Sequence, residues 1–280
     1  MELLVKRQLE RIAAKARLLV VEAVYLAQSG HPGGSLSITD ILTYLYFEEM
    51  NIDPTTPKKP KRDRFVLSKG HTCPALYSVL ALKGYFGTEE LKKLRKIDGI
   101  LQGHPDMKKI PGIDMSTGSL GQGISAACGM ALSAKLKGEN YRIYTALGDG
   151  EIQEGEVWEA AMFAAHNKLD NLTVIVDNNN LQIDGNINDV CSPEPINKKF
   201  ESFGFEVFVI NGHNFEEIES AFKKAKNVKG KPVAIISKST KGKGVTFMEN
   251  NAGWHGKAPS KEQFEQAKTE IENVLALLTD

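Results

Sequence analysis

The sequence has few cysteines for its 280 residues. Cys73, Cys128 and Cys191 lie far apart, form no CxxC pair for zinc or redox chemistry, and are odd in number. This pattern argues against a zinc or redox cysteine pair and against a disulfide framework. Because cysteine usage of this kind is typical of a reducing compartment, we expect a cytoplasmic protein.

The sequence also lacks an excess of charge of one sign and a long apolar run. Lys plus Arg number 35 and Asp plus Glu number 35, so the formal net charge is zero and no overall field attracts nucleic acid or an anionic membrane. Charged residues, among them Lys6, Arg11 and Glu22, interrupt the apolar pattern of residues 1–28. This excludes the apolar core of a signal peptide and a membrane span, and favours an amphipathic helix.

Past the midpoint of the sequence, short apolar runs alternate with segments of helical periodicity. Strands are predicted over residues 141–147, 172–176, 206–209 and 233–236. Helices are predicted over residues 155–166, 196–203, 215–226 and, after a Ser260 cap, 260–278. Near the amino terminus, the turn-forming residues 29–34 end the first helix, and a second helix is predicted over 38–48. The series predicts an α/β fold, a mostly parallel sheet flanked by helices on both faces, in a single domain of residues 1–280.

Acidic and amide side chains follow two of the predicted strands. Gly148-Asp149-Gly150 comes directly after one strand, and Asn179 follows the next. The carboxyl ends of neighbouring parallel strands meet at one edge of a sheet, where such folds bind ligands. The glycines let the backbone approach a phosphate, and oxygen ligands suit a hard divalent cation. Magnesium with a diphosphate is the simplest occupant, although each piece alone is also common turn or cap chemistry.

Together, at this spacing, the two pieces resemble the GDG-to-NN motif shared by thiamine-diphosphate enzymes. The resemblance implies a metal ion held by Asp149, Asn179 and the backbone carbonyl of Leu181. The implied metal is Mg²⁺, with Ca²⁺ or Mn²⁺ as substitutes. The same motif implies that Gly150 lies against the cofactor's diphosphate.

Histidines in glycine-rich contexts narrow the choice among the families of thiamine-diphosphate enzymes. The contexts are SGHPGGS at His31, SKGHTCPALY at His71, QGHPD at His104 and GWHGKAP at His255. A lone loop histidine is usually solvated or structural, but glycine permits the close approach that ligand-contacting loops need. These four contexts, with segments 115–136 and 240–256, are similar to transketolase segments in the same order over nearly the whole chain. The chain thus resembles the diphosphate-binding, amino-terminal part of a transketolase.

The resemblance implies a group of imidazoles around the thiazolium ring of the cofactor. His31 and His104 would contact hydroxyl groups of the sugar substrate, whereas His71 and His255 would lie nearer the diphosphate and the reacting centre. Neutral imidazole both donates and accepts hydrogen bonds, which suits proton movement at a sugar carbonyl or hydroxyl. All four are therefore candidate catalytic residues.

Three further residues are assigned by the same resemblance. Gly118 and Leu120 would contact the aminopyrimidine and the bridge region of the cofactor. Glu154 corresponds to a glutamate near the subunit interface, in a carboxylate network that joins two active sites. It is equally well explained as an acidic residue in the first turn of a helix, where the helix dipole favours negative charge.

Two histidines have no such counterpart. His213 is interpreted as part of a turn before a helix that Asn214 caps, and His166 as the polar end of a helix. Both are left outside the predicted site.

The resemblance also implies a partner. Thiamine catalysis in this family needs a glutamate from a pyrimidine-binding domain, and the substrate phosphate is bound by basic residues beyond the point where this chain ends. We expect a carboxy-terminal transketolase subunit to supply both, in an α2β2 heterotetramer that acts on sugar phosphates. The implied reaction, a step of the pentose phosphate pathway, transfers a two-carbon ketol unit from a ketose phosphate such as xylulose 5-phosphate to an aldose phosphate such as ribose 5-phosphate.

Three other interpretations compete with this one. The α subunit of a 2-oxo-acid dehydrogenase or decarboxylase also carries a GDG-to-NN motif, but the set of histidine contexts argues against it. A non-catalytic cofactor-binding subunit would not need substrate-facing histidines. Deoxyxylulose-phosphate synthase is normally a single long chain with different histidine contexts.

Overall fold

The computed structural model describes residues 1–278, so Thr279 and Asp280, the last two residues of the predicted domain, lie outside the described residues. Within the described part, no helix is both long enough and apolar enough to cross a membrane.

Helices cover both faces of a central sheet. They are α1 (Leu3–Ala27), α2 (Pro32–Tyr44), α3 (Cys73–Lys83), α4 (Gln122–Leu136), α5 (Gly155–His166), α6 (Ile187–Cys191), α7 (Ile196–Ser202), α8 (Phe215–Asn227) and α9 (Lys261–Leu277). The amphipathic α1 buries apolar residues from Leu9 to Val24, as predicted. The Ser260 side chain accepts a hydrogen bond from the Gln263 backbone N–H in a capping box that begins α9.

Five strands form the central sheet and two short ones form a separate hairpin. The strands are β1 (Arg64–Leu67), β2 (Ile143–Gly148), β3 (Leu172–Asn178), β4 (Leu181–Gln182), β5 (Gly185–Asn186), β6 (Glu206–Asn211) and β7 (Val233–Lys238). The sheet order is β1-β2-β3-β7-β6, and every pairing in it is parallel. The antiparallel β4 and β5 lie just beyond β3 in the sequence. The predicted parallel α/β sheet is confirmed.

The sheet separates two apolar cores. Successive residues of a strand point to opposite faces, so Phe65 and Leu67 of β1 join one core and Val66 joins the other. The first core contains buried side chains of α1, α2, α3, α8 and α9. The second contains those of α4, α5 and α7. Because both faces are covered, the inner strands β2, β3 and β7 are buried along nearly their whole length, whereas the edge strand β6 is only partly buried.

The structure differs from the sequence prediction at the start of α2, which begins at Pro32 and not near residue 38. Proline is favoured at the first helical position because its missing N–H has no helical partner there. The following glycines serve close packing: a Cβ at Gly33 would lie 2.8 Å from the Trp254 carbonyl oxygen, and one at Gly34 2.8 Å from Thr72 Cγ2. The segment predicted as a flexible turn therefore packs as the first turn of a helix. Strand β1 and helices α3 and α4 were also not predicted.

Four neighbouring strands end at one edge of the sheet. The chain continues from β1 into Lys69 and His71, from β2 into Asp149, from β3 into Asn179, and from β7 into Lys241. The parallel order thereby brings together residues that are far apart in sequence.

Candidate functional site

A cavity of about 300 Å³ lies at this edge of the sheet. Eight residues of the predicted site line it: His71, Leu120, Asp149, Gly150, Glu154, Asn179, Leu181 and His255. Two lysines that the sequence reasoning did not single out, Lys69 and Lys241, line it as well. Ligands in open parallel sheets bind at this position, beyond the carboxyl ends of the strands.

The three predicted metal-ligand residues face the same cavity. Asp149 is 2% exposed, and its carboxylate accepts hydrogen bonds from Gly150 N at 2.9 Å, Asn178 Nδ2 at 3.1 Å and Asn180 N at 2.6 Å. Burial raises the pKa of Asp149 to about 6, with Asp177 adding to the effect and the Asn178 hydrogen bond opposing it. A cation beside this buried carboxylate would stabilise its ionised form.

Asn179 is oriented by the buried Asp177. Its Nδ2 lies 3.3 Å from Asp177 Oδ2 and 3.4 Å from Ser37 Oγ, while its Oδ1 accepts the Leu181 backbone N–H at 3.1 Å. The nitrogen side of the amide therefore contacts Asp177 and Ser37, and the oxygen side contacts the backbone N–H of Leu181. One carboxylate, one amide oxygen and one backbone carbonyl make an all-oxygen donor set that fits Mg²⁺ or Ca²⁺. Within residues 1–278 no cluster of three or more His, Cys, Asp or Glu forms an alternative metal site.

The two lysines of the cavity are in different electrostatic situations. The Lys69 ammonium forms a buried ion pair with Asp177 and also donates to the Gly34 carbonyl at 3.2 Å. The Lys241 ammonium donates to the Leu181 carbonyl at 3.2 Å and lies 3.1 Å from His255 Nδ1. No ion pair joins Lys241 to a carboxylate in the described part of the chain. Burial, together with the charge of Lys69, lowers the pKa of Lys241 to about 8.

Three of the four predicted histidines form a cluster of rings. The centroid distances are 5.1 Å between His31 and His71, 5.5 Å between His31 and His255, and 5.2 Å between His71 and His255. An ammonium can only donate, so His255 Nδ1 accepts from Lys241 and the proton of the neutral ring is on Nε2. Nδ1 of His31 is buried and has no hydrogen-bond partner among the described residues. A polar ligand bound beside the His31 ring would satisfy this nitrogen.

Burial keeps these imidazoles neutral. It lowers the pKa of His31 to about 4, with Arg95 contributing, and that of His255 to about 3, with Lys241 contributing. The pKa of His71 is lowered well below its ordinary value by burial and by the charge of Lys69. Since all three are uncharged near pH 7, each can accept a proton or donate a hydrogen bond.

Of the three remaining predicted residues, His104 and Gly118 line a second cavity, of about 530 Å³, whereas His31 is among the lining residues of neither cavity. A Cβ at Gly118 would lie 3.3 Å from the ring of His104. The loop that carries Gly118 continues into Leu120, which lines the first cavity. Burial and the charge of Arg95 lower the pKa of His104.

Comparison with known proteins gives the family of this site. The family model described as the thiamine diphosphate binding domain of transketolase matches residues 8–273. The chain belongs to the transketolase family. The resemblance predicted from the sequence is thereby confirmed.

Relatives of two lengths match this transketolase chain. The 6-deoxy-6-sulfo-D-fructose transketolase subunit of Clostridium sp. (strain MSTE9) is 47% identical over 264 residues, which cover 94% of this chain and 96% of the relative. The apulose-4-phosphate transketolase subunit of Phocaeicola vulgatus is 44% identical, with coverage of 94% and 93%. Human transketolase is 43% identical, but the match covers 94% of this chain and only 42% of the human protein.

Solved transketolase structures also match this chain over less than half of their own length. Transketolase from Campylobacter jejuni superposes with a TM-score of 0.89 and 37% identity, covering 97% of this chain and 43% of that one. This chain therefore spans less than half the length of these longer relatives and nearly the full length of the two subunits.

In this transketolase chain, Glu154 is exposed and is the residue that precedes α5, but its side chain makes no capping hydrogen bond. The neighbouring Glu151 is buried, and the sequence reasoning missed it. It accepts hydrogen bonds from Ser68 Oγ at 2.5 Å, Gly121 N at 3.0 Å and Gly148 N at 2.9 Å. The signal for Lys69 and Lys241 was their position in the glycine-rich segments SKGH and TKGKG, but for Glu151 the sequence offers no comparable signal.

Proposed function

We propose that this chain is the diphosphate-binding subunit of a split transketolase, which transfers a two-carbon ketol unit between sugar phosphates. The observation that carries the proposal is the convergence on one cavity of an all-oxygen donor set, a buried Lys241 ammonium with no ion pair among residues 1–278, and the neutral imidazoles of His71 and His255. In this proposal residues 1–280 form one domain of the diphosphate-binding type.

The same cavity suggests how the chain would bind thiamine diphosphate and Mg²⁺. Asp149, Asn179 and the Leu181 carbonyl would hold the metal, for which Ca²⁺ or Mn²⁺ would substitute. Lys241 would then turn from the Leu181 carbonyl to the negatively charged diphosphate, and Gly150 would leave room for it. Gly118 and Leu120 would contact the aminopyrimidine side of the cofactor.

Bound thiamine diphosphate supplies the carbanion that accepts and stabilises the two-carbon unit. The chain's own residues orient the substrate and move protons. His31 and His104 would bind sugar hydroxyl groups, and His255, whose Nε2 carries the proton, would donate a hydrogen bond near the reacting carbonyl. His71 would lie at the diphosphate. Because these rings are neutral, they can exchange protons with hydroxyl groups without first losing one.

A second polypeptide is part of the proposal. The relatives that this chain covers almost completely are themselves named as subunits. The partner would supply the pyrimidine-binding domain with its glutamate and the basic residues for the substrate phosphate, in an α2β2 assembly. Glu154 would lie near the subunit interface and the cofactor.

The substrates are proposed to be xylulose 5-phosphate as donor and ribose 5-phosphate as acceptor, in the cytoplasm. The names of the two subunit relatives refer to a sulfofructose and to apulose 4-phosphate. These two ketoses therefore belong in the panel of donors to be tested.

The test is ketol transfer by this chain alone and with a carboxy-terminal transketolase subunit, in the presence of thiamine diphosphate and Mg²⁺. We expect transfer only in the mixture, and its loss in Asp149→Ala but not in the matched control Asp189→Ala, at an exposed position of α6. Transfer at full rate by the chain alone would contradict a split enzyme. Cofactor binding without transfer from any of the ketoses would favour a 2-oxo-acid dehydrogenase type of reaction.

A further inference from the structure

His213 connects two distant parts of the chain behind the cofactor cavity. It lies in the turn between β6 and α8, and its side chain is 15% exposed. Its Nδ1 is 2.7 Å from Asp40 Oδ2 of α2, and its Nε2 is 2.9 Å from the backbone nitrogen of Thr240. Thr240 follows β7 and directly precedes Lys241.

These contacts determine which ring nitrogen carries the proton. A backbone N–H can only donate, so His213 Nε2 must be the unprotonated acceptor for Thr240. Nδ1 then carries the proton and donates a hydrogen bond to Asp40. Burial alone would raise the pKa of Asp40, but Arg17 and His213 lower it to about 2, so the acceptor is a carboxylate. The two contacts thus assign His213 to the tautomer with the proton on Nδ1.

The same carboxylate holds the segment after Thr240 at a second point. Arg17 of α1 donates to both oxygens of Asp40, at 3.0 and 2.5 Å, and its Nε donates to the Lys243 carbonyl at 3.1 Å. Between these points, Gly242 donates its backbone N–H to the Gly33 carbonyl at 2.9 Å. The segment 240–243 is therefore attached to α1, α2 and the β6–α8 turn on both sides of Lys241.

We propose that His213 is a positioning residue for the cofactor site, which as the Nδ1–H tautomer fixes the Thr240 backbone and thereby directs the Lys241 ammonium into the cavity. The role of Lys241 in this proposal rests on the proposed function, whereas the attachment of Thr240 does not. Two substitutions distinguish the hydrogen bond of Nε2 from that of Nδ1. In His213→Gln the side-chain oxygen replaces Nε2 as the acceptor for Thr240, and in His213→Asn the amide replaces Nδ1 as the donor to Asp40 but leaves Thr240 without a partner.

The first measurement is amide hydrogen exchange of Thr240 in the full chain. We expect protection in the wild type and in His213→Gln, and exchange about tenfold or more faster in His213→Asn, because a lost hydrogen bond there leaves the N–H free. Nitrogen chemical shifts of the His213 ring should show a protonated Nδ1 and an unprotonated Nε2. The opposite tautomer, or equal protection in the Asn and Gln variants, would overturn the proposal.

The second measurement is the affinity for thiamine diphosphate with Mg²⁺ in the complex with the partner subunit. We expect His213→Asn to weaken binding by about tenfold and His213→Gln by much less. In a Lys241→Met background, His213→Asn should cause no further loss, because residues that act through one another are not additive. A fully additive loss would overturn the positioning role. If Lys241→Met itself left the affinity unchanged, the cofactor site of the proposed function would be wrong, while the Thr240 exchange would still decide the attachment.

Discussion

Glu151 accepts the backbone N–H of Gly121 at 3.0 Å and so ties the residue that precedes α4 to the turn that follows β2. The same carboxylate accepts Ser68 Oγ from the segment after β1. Three chain segments at and around the first cavity therefore share one buried anion. The geometry of the cavity depends on this carboxylate, although we assign it no contact with substrate.

Replacing Glu151 by Gln should destabilise the chain. Burial raises the pKa of Glu151, so an uncharged side chain avoids part of the cost of burying the anion. However, the carboxamide NH₂ would face at least one of three donors, and an unsatisfied buried donor costs about 1–3 kcal/mol. We expect the free energy of unfolding in urea to fall by about that amount, with no change in Glu159→Gln at an exposed position of α5. An unchanged unfolding free energy in Glu151→Gln would show that this network is not needed for stability.

Two glycines of α4 should respond to alanine in opposite ways. A Cβ at Gly123 would lie 2.5 Å from Ser68 Oγ and 2.6 Å from Ser68 Cα, whereas a Cβ at Gly129 would meet nothing within 4 Å. Gly123→Ala should therefore lose about 1–3 kcal/mol of unfolding free energy by overpacking. Gly129→Ala should gain about 0.5–1 kcal/mol, because alanine favours the helix. Thermal and urea unfolding of both variants measure the difference, and equal effects would contradict the close contact of α4 with Ser68.

The sequence was sufficient to predict the parallel sheet because its strands are short, buried and bounded by turns. The position of Asp149 and Asn179 in one cavity could be predicted because each directly follows such a strand. By contrast, β1 (Arg64–Leu67) was missed because it lies before the midpoint of the sequence, outside the alternating series of strands and helices that reveals the others. Helix α4 carries small or apolar side chains on several faces, so the sequence shows only a weak helical periodicity of hydrophobic residues there.

The electrostatic framework of the site could not be predicted, because it depends on contacts between distant segments. His213 and Asp40 are separated by 173 positions, and Ser68 and Glu151 by 83. His213 was interpreted as a turn residue next to the cap Asn214, and Asn214 is indeed that cap. The local sequence pattern predicted the cap at Asn214. It could not predict the hydrogen bonds of the His213 ring, because the partners come from α2 and from the segment after β7.

Lys241→Met should affect binding and stability in opposite directions. The buried ammonium has no carboxylate ion pair within residues 1–278, and burial lowers its pKa to about 8, so removing the charge should leave the unfolding free energy unchanged or higher. Loss of a charged hydrogen bond to the diphosphate should weaken thiamine diphosphate binding by roughly tenfold or more. Calorimetry of the assembled enzyme and urea unfolding of the chain measure the two effects. Lys243→Met, on the same loop but paired with Glu249, is the control that should retain cofactor affinity.

The histidine cluster should make the chain less stable as the pH falls from 7 to 5. The pKa values of His31 and His255 are about 4 and about 3 in the folded chain, below the ordinary 6.5, so the unfolded chain binds protons first and folding is penalised. The raised pKa values of Asp149 and Glu151 act in the opposite direction in part of this range, so the informative quantity is a difference between variants. The unfolding free energy of His255→Gln should fall less steeply with decreasing pH than that of the wild type.

The matched control for this experiment is His166→Gln, at the exposed end of α5. It should follow the wild-type pH dependence between pH 7 and 5, because this side chain lies on the surface and outside the buried histidine cluster. Urea unfolding at several pH values gives the slopes for all three proteins. Parallel slopes for the wild type and His255→Gln would mean that His255 is not held neutral by burial and by Lys241, and its proposed role as a neutral hydrogen-bond donor near the substrate would then have to be abandoned.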